Sequence, residues 1–176
     1  MTQLSLLAFM VACGPRAEEP PEAQKYTEVL SPLLADNGLL ADILWNTADL
    51  IYSETSDNPL VGPVSGDSAK AKALFQVWNQ DIAPLTAHLH DQATLVEPPE
   101  SWIDAHAALV VAWGCRADSY RDIGEALILQ DASALAAAKS SADHSKHLEE
   151  QWFRHVNKRL SPYDLHLNQY PRSPKP

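Results

Sequence analysis

An all-α fold, an antiparallel four-helix bundle, is what this 176-residue chain predicts. Three observations point to it. Apolar residues recur at three- and four-residue steps in four separate stretches, as amphipathic helices require. No stretch alternates apolar with polar residues, and no pair of such runs flanks a tight turn. The last two stretches meet at a very short turn near Gln130, which makes their helices antiparallel neighbours crossing at about 20°.

The first helix starts near Tyr26, and its stripe is Val29, Leu30, Leu33, Leu34, Leu40, Ile43, Leu44, Ala48 and Ile51. Pro32 and Gly38 interrupt it, so either Ser31 caps the helix with Pro32 at its first position, or an earlier turn is kinked. One helix with a disturbed first third is expected. Residues 55–68 collect Asn58-Pro59, Gly62-Pro63 and Ser65-Gly66-Asp67 and read as a long connection.

The second helix, residues 68–92, carries Leu74, Val77, Trp78, Ile82, Leu85 and Leu89 on one stripe. Pro84 inside it removes an amide donor and predicts a kink. After Pro98-Pro99 comes the most regular helix, with Trp102, Ile103, His106, Leu109, Val110, Trp113, Ala117, Tyr120, Gly124 and Leu127. Asp131 is a natural cap for the fourth, whose inner face is Leu135, Ala138, Ala142, Ser145, Leu148, Trp152 and Val156. Lys158 and Arg159 complement its C-terminal dipole. From Ser161 a Pro-rich, non-helical tail follows, with Tyr163, Leu165, Leu167 and Tyr170 able to lie along the bundle.

Charge narrows the partners. With 13 Lys and Arg against 23 Asp and Glu, the net charge of −10 repels phosphate backbones and anionic head groups, which argues against nucleic acid. Cys13 and Cys115 are the two cysteines, too few for a disulfide framework. The fold therefore depends on its apolar core.

Residues 4–12 form a nine-residue, mostly apolar run, the length of a secretory h-region and far short of the ~20 residues that span a bilayer. It ends in Met10-Val11-Ala12-Cys13, followed by Gly14. This resembles the lipobox signal of bacterial lipoproteins. The resemblance implies that residues 1–12 are a signal peptide and that Cys13 becomes the acylated N-terminus. Residues 13–24, with Pro15, Pro20, Pro21, Glu18, Glu19 and Glu22, then form a solvated tether. Residues 25–160 are the bundle domain, and 161–176 the extended tail. Because Gly14 rather than Asp follows the cysteine, the resemblance further implies the periplasmic face of a Gram-negative outer membrane. In outline, residues 26–160 look like the small helical-bundle lipoproteins of unknown function found in bacteria.

Few residues suggest chemistry. A di-iron bundle needs Glu three residues before His on two helices, and no histidine here has that neighbour. Type-c haem needs two closely spaced cysteines before a histidine, and Cys115 has no such companion. His144 and His147, three apart with Asp143 and Glu150 nearby, are the sharpest metal candidates. Lys139, Ser140 and Lys146 around them instead describe a solvated face. Cys115 and His147 are equally distant from the helical turn, yet Cys115 follows the inward Trp113 by two residues and should face away from the helix-four seam. His106 lies on an apolar stripe, where it could bind haem axially or, more commonly, stay neutral and hydrogen-bond to a facing helix. Trp45, Trp78, Trp102, Trp113 and Trp152 read as core volume.

The expectation is thus a lipid-anchored cell-envelope bundle that acts as a binding or structural module for an envelope protein, through its helix faces or aromatic tail. No cofactor and no enzymatic activity are assigned. The alternative is a metal- or haem-binding bundle using His144 and His147, or His106.

Overall fold

The structure, a computed structural model, describes residues 20–47, 69–129 and 131–168. The proposed signal peptide, Cys13 and most of the tether lie outside these residues, as do Ala48 and Ile51 of the first stripe, the expected connection 55–68 and Tyr170 of the tail. All the described regular structure is helical. The helices are α1 (Pro20–Asn46), α2 (Ala69–Val77), α3 (Ala83–Leu95), α4 (Ile103–Leu129) and α5 (Ala132–Leu160). A π-helical turn, Trp78–Ile82, joins α2 to α3 without a break, so the two form one arm of a four-armed bundle. None of these helices is long and apolar enough to cross a membrane.

The arms follow one another around the core. α4 packs on α3 and on α5, and α1 packs on α3 and the π turn. α1 closes the ring on α5 through long side chains, Asn37 meeting Glu149. Tyr26, Leu30 and Leu40 of α1, Leu74, Ile82 and Leu89 of the second arm, Leu109 and Trp113 of α4, and Val156 and Leu160 of α5 are essentially sealed from water. Each such burial contributes about 1.5–3 kcal/mol. Of the five tryptophans, Trp45 departs from the core expectation. It is 81% exposed, because it lies on the outer side of the last turn of α1.

α1 begins earlier than the sequence suggested. Residues 20–24, expected in the tether, form its first turns. Pro20 and Pro21 are compatible with a helix start, where missing amides are unpaired anyway, and Glu22 suits the positive end of the dipole. Ala23 then packs fully buried. Pro32 stays inside the continuous helix, its ring exposed. Around it the Thr27 and Ser31 hydroxyls donate to the Ala23 and Thr27 carbonyls, at 2.9 and 2.8 Å.

Pro84 produces a change of register rather than a simple kink. In an α-helical register its ring would press on the Gln80 carbonyl, which would also lose its donor. The π turn shifts the pairing by one residue, so that the Ala83 amide reaches back to the Trp78 carbonyl and Pro84 falls in the first turn of α3. The same turn presses onto α4: Trp78 donates its indole N–H to the Tyr120 carbonyl at 2.7 Å, and its ring packs 5.3 Å from that of Tyr120.

The Asp131 carboxylate accepts from the amides of Ser133 and Ala134 at 2.9 and 3.0 Å and caps α5 as expected. Beyond α5, the turn Ser161–Tyr163 ends at Asp164 in the left-handed region, φ 61°. The chain then folds back. Asn157 donates to the Leu167 carbonyl and accepts from its amide, at 3.0 and 2.7 Å, which seats Leu167 in the core.

A Cβ on Gly124 would stand 2.7 Å from Asn79 Oδ1. Gly124→Ala should therefore lower stability by about 1 kcal/mol in urea unfolding, since overpacking costs about 1–3 kcal/mol against a helix gain of about 1. In an Asn79→Ala background the same change should become stabilising.

Candidate functional site

Ser145, Glu149, Trp152 and Val156 fall at helical spacing on the inward face of α5, so the fold places a carboxylate in the core. Glu149 is 2% exposed. Its Oε2 accepts from Nη1 of Arg116 at 3.0 Å, while Oε1 accepts from the Asn37 amide and the Trp113 indole, each at 3.3 Å. Arg116, itself 5% exposed, lies over the Trp113 ring at 5.2 Å. Its Nε and Nη2 have no hydrogen-bond partner among the described residues. Three arms thus meet on one ion pair. The Tyr120 phenol close by is held above its ordinary range by burial, an effect that Arg116 opposes and Glu149 and Asp143 reinforce.

A second cluster lies nearer the start of α4. The Ala93 carbonyl can only accept, so His106 Nε2, 2.8 Å away, carries the proton, and Nδ1 faces the Tyr26 hydroxyl at 3.4 Å. His106 is therefore the buried, hydrogen-bonding histidine that its stripe position suggested, although its acceptor is backbone. Tyr26 stacks on Trp102 at 4.6 Å, and Arg159 covers the Trp102 ring at 4.0 Å while donating to the Ser101 carbonyl at 2.8 Å. Ser101 in turn donates to Glu22. Burial pushes the Tyr26 phenol well above its usual value, against the smaller opposing effect of Arg159. Both ring nitrogens of His106 thus face partners inside the bundle.

Outside this core, a groove of about 630 Å³ opens between α4 and α5. Ala105, Ala107, Ala108 and Val111 form its α4 wall, and Leu148, Gln151 and Trp152 its α5 wall. The Trp152 indole donates to the Ala105 carbonyl at 2.6 Å and fixes the floor. Asp104, His155 and Arg159 gather at one end. The volume lies within the roughly 300–1,000 Å³ range of ligand sites, and the lining is mainly apolar with polar groups at one end.

The other candidates stay apart. His144 and His147 are exposed, and His147 Nε2 contacts the Gln151 amide at 2.7 Å. Among the described residues no three His, Cys, Asp or Glu side chains are grouped to hold a metal ion. Cys115 is a half-buried free thiol on α4. Cys13 lies outside the described residues. Sequence reasoning passed over Glu149, Arg116 and Asn37, although the spacing of Glu149 from Ser145 and Trp152 was a signal. No family model, curated protein or solved structure matches this chain.

Two measurements follow from the buried clusters. Glu149→Leu alone should destabilise the bundle by about 3–5 kcal/mol, because it strands Arg116, whereas Arg116→Met with Glu149→Leu should recover most of that loss in denaturant unfolding. In alkali the unfolded tyrosines ionise near 10 while Tyr26 and Tyr120 in the native state retain their protons. Stability should therefore fall as pH rises above about 10, by roughly 1.4 kcal/mol per pH unit for each tyrosine. Tyr120→Phe should flatten that slope.

Proposed function

We propose that this chain is a lipid-anchored binding module of the bacterial cell envelope, held to the membrane through Cys13, with the α4–α5 groove as its contact face. The groove carries the binding half of this reading. The two buried clusters tie their polar groups inside the bundle, yet here a sizeable apolar trough is left uncovered by any helix among the described residues. The anchor half comes from the lipobox-like residues 10–13 and from the net charge of −10, which leaves acyl chains as the means of holding a membrane. The periplasmic face of the outer membrane is the location that Gly14 suggests.

No step of chemistry is assigned to the groove. His155 and Asp104 share its end, but no nucleophile stands among its lining residues.

Cells expressing the chain and fed radioactive palmitate should yield a labelled, membrane-bound protein. Cys13→Ser should abolish both the label and the membrane fraction, and unlabelled wild-type protein would refute the anchor.

A further inference from the structure

We propose that the α4–α5 face binds the same face of a second copy of this chain, side by side with a two-fold axis parallel to the helices. The inference deepens the binding reading above, because it names the occupant of the same groove.

The face is large enough. α4 has 27 residues and is about 40 Å long; with α5 beside it and each helix about 10 Å wide, the pair presents a face about 20 Å across, or about 800 Å², which is what each partner of a standard interface buries. Its middle carries no carboxylate, lysine or arginine: Ala107, Ala108 and Val111 on α4, and His144, Leu148 and Gln151 on α5. Val111 is 59% exposed. The small alanines let a second helix approach closely.

Charge decides the partner and its orientation. On α4 the outward stripe carries Asp104 at the start and Asp118, Asp122 and Glu125 further on, with Arg121 already held by Asp118 and Asp122. On α5 the outward stripe carries no charged side chain until His155, Lys158 and the groove-lining Arg159 at its end. A two-fold axis parallel to the helices places α4 of one copy against α5 of the other, so that Asp104 meets His155 and Lys158 of the second copy, twice per dimer. The remaining α4 carboxylates then face serines and alanines. An axis perpendicular to the helices would stack α4 on α4 in opposite directions and set Asp104 against Asp122 and Glu125.

The chain start agrees with the first arrangement. Glu22 and Tyr26 sit on Ser101 and Trp102, so α1 begins at the Asp104 end of the groove. Both copies then begin α1 at one end, as a shared membrane requires. The net charge of −10 per copy opposes association, but it is screened over about 8 Å at physiological salt, whereas pairs in contact are screened much less.

The natively processed chain, purified under reducing conditions, should sediment as a dimer with a dissociation constant of roughly 1–100 μM. Val111→Glu should raise that constant by about 100-fold while leaving the helical circular dichroism unchanged. Asp104→Lys and Lys158→Glu should each weaken the dimer about tenfold, and the two together should restore it. A chain that stays at the mass of a single processed protomer at every concentration overturns the proposal, as does a dimer that Val111→Glu leaves intact. Photocrosslinking from residue 111 in cells separates the two readings. Capture of a different envelope protein by a monomeric chain sinks self-association and keeps the binding module, whereas a dimer without acyl label supports self-association and removes the anchor.

Discussion

The Glu149 carboxylate, sealed in the core and shared by Arg116, Trp113 and Asn37, is the constraint around which the bundle is arranged. An apolar core alone tolerates sliding and rotation of its helices, since one leucine contact replaces another at little cost. A buried charge does not. Its partners must arrive from α1, α4 and α5 at one level, and a slip of a single turn along α1 or α4 would move each donor by about 5 Å and leave the carboxylate bare. The net stability from such a pair is small, because desolvation offsets the attraction. Its consequence is a unique register, and that register fixes where the outer faces lie.

The His106 cluster extends the same logic to the end of the bundle. His106 is consumed by Ala93 and Tyr26, and Arg159 by the Trp102 ring and the Ser101 carbonyl. Residues that a sequence reader would nominate for ligand chemistry are thereby spent on holding helices together. What the interior takes up, the exterior lacks: the outward α4–α5 face keeps alanine, valine, leucine and glutamine at its centre. The Trp152 indole turns inward to Ala105, so the groove has a firm floor.

Much of this was legible in the sequence. The four amphipathic stretches, the Asp131 cap, the short turn near Gln130 and the inward position of His106 all follow from period and local chemistry, which are properties of neighbouring residues. Glu149 was missed because a glutamate is assigned to solvent by default, and nothing local shows that Arg116, 33 residues away, will meet it. The helix start at Pro20 was hidden by a composition that suits a tether equally well. Pro84 signalled a disturbance, but whether it becomes a kink or a π turn depends on Trp78 finding the Tyr120 carbonyl across the bundle. The groove had no local signature at all, being a property of the gap between two helices.

The π turn and the groove are linked through α4. Trp78 and Asn79 press on α4 at Tyr120 and Gly124 from one side, while Glu149 and Trp152 grip it at Arg116 and Ala105 from the other. α4 is therefore held along most of its length by directional bonds, and its outward stripe from Ala107 to Val111 is displayed on a rigid element. Surfaces displayed this way lose little conformational entropy when they bind, because only short side chains must be ordered. Alanine and valine have almost no rotamer freedom to lose, so a modest apolar area on α4 can yield more association free energy than the same area on a mobile loop.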